Sequence, residues 1–125
     1  MSMLKRKIDA FLVDWKKNPD RLPLIVKGAR QVGKTASIRQ FGGNNYENVV
    51  EINFLLQKQY RDIFDDGFEV DTILRNISLR APQLEFVPGK TLIFFDELQA
   101  CVNCATSLKS FKQDGRYDVI CYGSL

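Results

Sequence analysis

The chain has 125 residues and a net charge of +3, and 45% of its residues are hydrophobic, enough for the core of one domain. It contains no histidine, which excludes histidine acid–base catalysis, serine–histidine and cysteine–histidine nucleophile pairs and the commonest zinc ligand. No apolar stretch is long enough for a signal peptide or a membrane span, so we expect a cytoplasmic protein with no membrane partner.

The first predicted element is an amphipathic helix over residues 3–17, in which apolar residues recur at helical spacing. These residues are Leu4, Ile8, Phe11, Leu12 and Trp15. We expect the helix to pack on the rest of the domain or on a partner. A turn at residues 18–20 ends it, which predicts a helix and linker over residues 1–20 and a second unit over 21–125.

Positive charge is concentrated in the first 40 residues, which hold ten Lys or Arg residues against three acids, whereas the rest hold eight against twelve. Part of this excess lies on the first helix, where a solvated basic face is favoured over a nucleic-acid site. Aromatic residues do not alternate with basic ones as they do in single-strand-binding proteins. Nucleic acid is therefore a partner that the sequence allows but does not support.

A strand predicted over residues 22–27 leads into the most specific motif of the chain. Residues 28–35 form a complete G-x-x-x-x-G-K-[ST] phosphate-binding loop, and a helix predicted over 34–41 follows it. In such loops backbone N–H groups surround the phosphates, the lysine (Lys34) reaches the β- and γ-phosphates, and the hydroxyl of Thr35 binds Mg²⁺. The motif predicts a protein that binds ATP or a related nucleotide together with Mg²⁺.

The expected nucleotide contacts cover the loop and the first helical turn after it. They are Gly28, Ala29, Arg30, Gln31, Val32, Gly33, Lys34, Thr35 and Ala36. The backbone makes most contacts in loops of this kind, so the side chains of Arg30 and Gln31 either touch the nucleotide or face solvent.

Further strands and helices alternate along the rest of the chain. The predicted strands cover residues 49–54, 91–95 and 117–122. The predicted helices lie around residues 60–64, 73–77 and 105–112. Turns are expected at 42–45 and 65–67, and a loop at 81–90. This alternation predicts an α/β fold with a parallel sheet and a ligand at the carboxyl ends of the strands.

Two acids, Asp96 and Glu97, follow the strand at 91–95 directly. Adjacent acids after a strand are often only a solvated turn or the start of a helix. An apolar strand with an acid at its tip also completes a P-loop nucleotide site. Because the phosphate-binding loop is present as well, we interpret the two motifs together as the site of an ATPase.

The three cysteines are Cys101, Cys104 and Cys121, and free thiols are the expectation for all of them. Cys101 and Cys104 have the C-x-x-C spacing of redox and zinc sites. Only Cys121 is left as a third thiol, and it lies in a predicted strand. We therefore expect neither a zinc site nor a redox site.

Several motifs together resemble the prokaryotic AAA-like ATPases that carry a C-terminal domain of unknown function, often described as nuclease-like. The matching segments are residues 23–35, 52–54, 88–99, 108–111 and 123–125. The resemblance implies a three-layer P-loop ATPase domain of the additional-strand class over residues 21–125, with strand order 2-3-4-1-5. Family members are commonly longer. We therefore expect this chain to be the product of a truncated gene or an expressed fragment, which ends before the fifth strand and lacks the C-terminal domain.

The same resemblance implies roles for individual residues. Asp96 would hold Mg²⁺ through water, Glu97 would orient and deprotonate the attacking water, and Ser124 would be the polar sensor at the tip of strand 117–122. Together with Lys34 as a catalytic residue and Thr35 as a metal ligand, these form the expected site. Phosphoryl transfer needs charge neutralisation and an in-line nucleophile, and an Asp-Glu pair favours water as the acceptor.

Two questions stay open in the sequence. Gln99 is either a switch residue beside the acids or a polar residue that starts a helix. The function is either ATP hydrolysis coupled to a C-terminal domain or partner, or a nucleotide-dependent switch or scaffold with negligible hydrolysis. The second alternative stays open because neither Arg80 nor Arg116 lies in a recognisable arginine-finger motif. Without a fifth strand, the outer edge of strand 22–27 would have unpaired backbone groups. These groups could pair with a second chain, so we predict self-association through this edge.

Overall fold

The structure, a computed structural model, describes residues 3–28 and 33–124. Its elements are α1 (Met3–Lys17), β1 (Leu24–Lys27), α2 (Lys34–Asn45), β2 (Asn48–Asn53), a 3₁₀ turn (Lys58–Tyr60), α3 (Val70–Arg80), β3 (Thr91–Asp96), a second 3₁₀ turn (Leu98–Ala100), α4 (Val102–Asp114) and β4 (Asp118–Gly123). The four predicted strands are all present, and their ends lie within two residues of the predicted ones.

The strands form one parallel sheet in the order β1-β4-β3-β2, which confirms the predicted order 2-3-4-1. Ile120 of β4 lies between Leu24 of β1 and Phe94 of β3. Every residue of β3 is buried, as its continuous apolar sequence requires in a parallel strand covered on both faces. The fifth strand stays a prediction.

Helices cover both faces of the sheet, so the predicted three-layer α/β fold is confirmed. On one face, α1 and α2 pack against the sheet through a cluster of Leu12, Ile38, Phe41, Leu92, Phe94, Ile120 and Tyr122. On the other face, α3, α4 and the segment after β2 form a larger cluster whose fully buried members include Phe54, Ile63, Ile73, Ile77, Phe95 and Cys121.

Helix α1 has the predicted limits and packs on α2. The ring of Trp15 lies 6.2 Å from that of Phe41, and the Trp15 indole N–H donates to the Leu22 carbonyl at 2.8 Å. Phe11, predicted on the apolar face, is instead 54% exposed. The division of the chain at residue 20 stays a prediction. Within the described parts of the chain, no helix combines the length and the apolar character needed to cross a membrane.

The predicted turn at residues 42–45 is wrong, because α2 continues to Asn45. A Cβ atom added to Gly42 would lie 2.6 Å from the Val49 side chain, so Gly42 lets α2 approach β2 closely. The Asn45 side chain donates to the Phe41 carbonyl at 2.9 Å and thereby satisfies one of the last carbonyls of the helix. These residues end the helix rather than preventing it.

Two further helix predictions need correction. The helix expected around residues 60–64 is only a 3₁₀ turn followed by single turns, with bonds three residues apart such as Ile63 N–H to the Tyr60 carbonyl at 3.3 Å. The helix expected around 105–112 is longer and covers Val102–Asp114. The helix around 73–77 and the loop over 81–90 are confirmed.

Candidate functional site

The parallel sheet brings the ends of its strands to one edge. Lys27, the last residue of β1, pairs in register with Gly123 of β4, and Asp96 of β3 pairs with both Tyr122 and Asn53. The phosphate-binding loop, the acid pair and Ser124 all follow strand ends. They therefore meet at this carboxyl edge, where ligands of open α/β sheets bind.

The two ends of the phosphate-binding loop have glycine-type backbone conformations. Gly28 has φ 145° and Gly33 has φ 103°, values that residues with a side chain rarely adopt. The Ser37 N–H donates to the Gly33 carbonyl at 2.8 Å, so α2 begins directly after the loop. Residues 29–32, and with them the predicted contacts of Ala29, Arg30, Gln31 and Val32, lie outside the described residues.

The side chain of Lys34 folds back across the start of the loop. A Cβ atom added to Gly28 would lie 2.9 Å from the Lys34 ammonium, and that ammonium lies 5.9 Å from the centre of the Tyr122 ring. The missing side chain at Gly28 therefore leaves room for the lysine. Together with the first N–H groups of α2, Lys34 makes this edge of the sheet suited to an anion.

The other two predicted contacts lie in the first turn of α2. Thr35 is half-buried, whereas Ala36 is exposed. Ile38 and Phe41, further along α2, share a cluster with Phe94 of β3. Since side chains alternate along a strand, Asp96 lies on the same face of the sheet as Phe94, and this face is the one that α2 covers.

Asp96 is a buried acid at the end of β3, with 4% of its surface exposed. Burial raises the pKa of Asp96, and the hydrogen bond from the Glu97 N–H opposes this change. The nearby charges of Glu97 and Glu51 raise the pKa further, whereas the charge of Arg39 lowers it. The Glu97 N–H bond to Asp96 measures 2.8 Å. A divalent cation at this carboxylate would supply the charge that its surroundings lack.

Glu97 is held in an unusual backbone conformation. It has φ 58° and ψ 51° and is the one described residue other than glycine with positive φ. The residue is 8% exposed, and its carboxylate accepts a hydrogen bond from the Gln99 amide nitrogen at 3.0 Å. Left-handed backbone in a residue with a side chain is costly and concentrates at functional sites.

Ser124 lies at the same edge and is exposed. Its backbone N–H donates to the Gln99 side-chain oxygen at 3.2 Å. A cleft of about 190 Å³ joins these groups and is lined by Gly28, Leu55, Glu97, Gln99, Tyr122, Gly123 and Ser124. The structure thus brings Glu97, Ser124 and the start of the phosphate-binding loop together.

Sequence reasoning missed two side chains near Asp96. Arg39 of α2 and Glu51 of β2 form a two-bonded ion pair with N–O distances of 2.7 and 2.6 Å, and both influence the charge of Asp96. The signal for Glu51 was its place as the one charged residue of β2, two residues before Asn53, which is the register partner of Asp96. The alternation of side chains would have placed Glu51 on the α2 face.

The two arginines considered as fingers hold ion pairs within the chain. Arg80 contacts Asp62 at 2.6 Å, and Arg116 contacts Asp71 at 2.6 Å and Asp114 at 2.8 Å. Either arginine would have to break these contacts to reach a nucleotide.

The cysteines are free, as predicted, and all three are buried. Burial raises the pKa of Cys104 well above its usual value, with further contributions from the neighbouring Cys121. Burial also raises the pKa of Cys101. In the described part of the chain, no group of three or more potential metal ligands comes together.

Comparison with known proteins gives a family and a fold. A family model described as an AAA domain matches residues 20–125. The solved structure of C. elegans PCH-2 is similar, with a TM-score of 0.57 and 17% sequence identity, over 100% of this chain and 38% of the PCH-2 chain. The chain thus spans well under half of that protein, and the likeness concerns the fold alone. No curated protein matches the chain.

Proposed function

The chain belongs to the AAA domain family, a family of nucleotide-binding, ATPase-type proteins, and we propose that it binds ATP with Mg²⁺ and hydrolyses the nucleotide. The observation that carries this proposal is the convergence of Lys34, Glu97 and Ser124 at one edge of the sheet. Such an arrangement offers a cation for phosphates beside an acid for water, which are the two groups that phosphoryl transfer needs.

ATP binding would rest on the residues of the phosphate-binding loop. Backbone N–H groups from Gly28 to Ala36 would surround the phosphates, and the Lys34 ammonium would contact the β- and γ-phosphates. The space above Gly28 that Lys34 occupies supports this role, because the ammonium already lies over the start of the loop. Arg30 and Gln31 add contacts only if their side chains turn toward the nucleotide.

The residues present fit a magnesium ion. Asp96 is a buried carboxylate in surroundings that disfavour its charge, and Thr35 offers a hydroxyl from the first turn of α2. Mg²⁺ prefers oxygen ligands and keeps several waters, so Asp96, acting through water, and Thr35, acting directly, would hold it together with oxygens of the bound phosphates. When bound, the ion would neutralise charge on the β- and γ-phosphates.

Hydrolysis would proceed through Glu97. Its carboxylate would accept a proton from a water molecule as that water attacks the γ-phosphorus in line with the leaving ADP oxygen. Ser124, at the tip of the neighbouring strand, would contact the γ-phosphate as a sensor. No covalent intermediate is required, so the contribution of the protein is positioning and electrostatic stabilisation.

A nucleotide-dependent switch or scaffold with negligible hydrolysis is the second candidate. The observation that favours it is the engagement of Arg80 and Arg116 in ion pairs on their own chain. An arginine finger contributes a large part of the hydrolysis rate in many P-loop enzymes. If Arg80 and Arg116 stay in their ion pairs, turnover would depend on an arginine from another molecule.

The proposed setting is a cytoplasmic protein whose ATP and ADP states act on its own C-terminal domain or on another protein. Self-association through β1 is a further proposal, supported by the position of β1 at one end of the sheet with β4 as its neighbour. An edge strand offers backbone groups to a second chain. The described residues of the site give no support to nucleic acid as a partner.

The test compares Mg-ATP binding and ATP turnover in the wild type, Lys34→Ala and Glu97→Gln. We expect Lys34→Ala to lose the thermal stabilisation by Mg-ATP, because the main cationic contact is gone. Glu97→Gln should keep binding and lose hydrolysis by about 100-fold or more. Equal stabilisation of wild type and Lys34→Ala would contradict the binding site, and equal turnover of wild type and Glu97→Gln would contradict the assigned base.

A further inference from the structure

The side chain of Gln99 joins Glu97 to Ser124, and Ser124 follows Gln99 by 25 residues in sequence. Its amide nitrogen donates to Glu97 at 3.0 Å, and its amide oxygen accepts from the Ser124 N–H at 3.2 Å. Through one planar group, the acid after β3 is therefore joined to the residue after β4.

The chemistry of the two partners suits an amide. The Glu97 carboxylate accepts hydrogen bonds, and the Ser124 N–H donates one, so the bridging group must offer a donor at one end and an acceptor at the other. Glutamine does so at the necessary length. Glutamate would place a second carboxylate against Glu97, and alanine would remove the bridge.

The neighbouring backbone is shaped for this bridge. A Cβ atom added to Gly123 would lie 2.6 Å from the Gln99 side-chain oxygen and 2.9 Å from the Leu98 backbone nitrogen. A glycine at the end of β4 thus lets Gln99 approach the strand. The left-handed conformation of Glu97 begins the short 3₁₀ turn that carries Gln99 back toward the acid.

We propose that Gln99 is a positioning residue that couples the tip of β4 to the general base Glu97. This inference rests on the proposed function, because it assigns Gln99 a part in the same hydrolysis. When a γ-phosphate contacts Ser124 and displaces the end of β4, the Gln99 amide moves with it and changes the position of the Glu97 carboxylate. In this role Gln99 acts on the Glu97 carboxylate and not on the nucleotide.

The kinetic test uses Gln99→Ala and Gln99→Glu in the same protein that is assayed for turnover. We expect kcat to fall about tenfold or more, the equivalent of one lost hydrogen bond in the transition state, while KM and Mg-ATP affinity change less than about twofold. The melting temperature should stay close to that of the wild type. Gln113→Ala, an exposed glutamine on α4, is the matched control and should leave kcat unchanged.

A second measurement does not need turnover. In isotope-edited NMR spectra, Glu97→Gln should shift the Ser124 amide resonance when Gln99 is present. The substitution alters the hydrogen bond between residue 97 and the Gln99 amide, and that amide also bonds the Ser124 N–H. The same substitution in a Gln99→Ala background should leave that resonance in place. A Ser124 response of equal size in both backgrounds would overturn the coupling.

The outcomes separate this inference from the proposed function. If turnover depends on Glu97 but not on Gln99, the coupling role is wrong and the hydrolase assignment stands. If turnover does not depend on Glu97, the hydrolase assignment is wrong, and Gln99 has no base to position. A fall in melting temperature together with equal losses in kcat and affinity would reduce Gln99 to a structural residue.

Discussion

Asp96 shows at the scale of one residue how a binding site opposes stability. The carboxylate is buried at the end of an apolar strand, and its pKa is raised by burial and by the nearby charges of Glu97 and Glu51. In the absence of a cation, ionising Asp96 costs more free energy in the folded state than in the unfolded chain and so lowers the stability of the fold. A bound metal ion would remove that cost.

Asp96→Asn should therefore stabilise the protein without nucleotide at neutral pH and weaken the Mg²⁺-dependent part of nucleotide binding. Because the folded-state pKa is raised, the stability linked to Asp96 is fully present below its unfolded pKa and is lost as the pH rises through the folded value. The gain in melting temperature from Asp96→Asn should accordingly be largest at neutral pH and shrink in acid. Thermal melts at several pH values, with and without Mg-ATP, provide the measurement.

A lower melting temperature for Asp96→Asn at neutral pH would contradict the assigned cost of the buried charge. Arg39→Gln offers a matched comparison, since removing the positive charge that lowers the Asp96 pKa should act in the opposite direction, although it also breaks the Arg39–Glu51 pair.

The site residues that the sequence predicted are those that a local motif contains. Lys34, Asp96 and Glu97 follow from spacing and from their position at the ends of strands. The role of Gln99 did not follow, because its second partner, Ser124, is distant in the chain and is reached only through the register of β3 and β4. Hydrogen bonds between strand ends depend on the folded sheet, which no spacing in the sequence records.

At the scale of one element, α2 shows how tertiary contacts override local preference. Two consecutive glycines near its end read as a turn, yet both are helical. Gly42 faces Val49 of β2 and Leu92 of β3, whereas a Cβ atom at Gly43 would meet nothing within 4 Å. Strand positions were predictable from apolar runs, and strand order was implied by the family resemblance. The end of α2 was not predictable, since the packing that stabilises it is not local.

The two glycines give a matched pair of variants. Gly42→Ala should destabilise the protein by about 1–3 kcal/mol, because the new methyl group would overlap the stiff side chain of Val49. Gly43→Ala should stabilise it by up to about 1 kcal/mol, because alanine favours helix and the site is open. Urea denaturation of both variants, with equal m-values, makes the comparison. The same sign for both would mean that Gly42 does not face the sheet as described.

At the scale of the whole molecule, Asp118 joins parts of the chain that are far apart. At the amino end of β4, it accepts two bonds of 2.9 Å from Arg21 and one of 2.7 Å from the Tyr46 hydroxyl, and Lys16 lies 3.8 Å away. Burial and the bond to Asp118 raise the pKa of Tyr46 above its usual value. The last turn of α1, the segment just before β1 and the end of α2 are thus tied to one strand.

Asp118→Ala should lower the free energy of unfolding by about 2–3 kcal/mol, because it leaves the half-buried Tyr46 hydroxyl and Arg21 guanidinium without this acceptor. The matched control is Glu47→Ala, which breaks the pair with Lys90, two side chains that are 60% and 59% exposed. An exposed pair of this kind contributes less than about 1 kcal/mol. Chemical denaturation measures the free energy of unfolding of both variants. Similar decreases for the two would contradict the stabilising role assigned to the bonds of Asp118.

The three buried cysteines lie on one side of the molecule. Cys101, Cys104 and Cys121 all belong to the cluster that α3 and α4 form with the sheet, and the cluster beneath α1 and α2 contains no cysteine. A thiol reagent in solution can react only when the α3–α4 layer opens. The rate of labelling therefore records the opening of the layer opposite the phosphate-binding loop. A change in that rate on adding nucleotide would report, without any introduced probe, that the two faces of the sheet communicate.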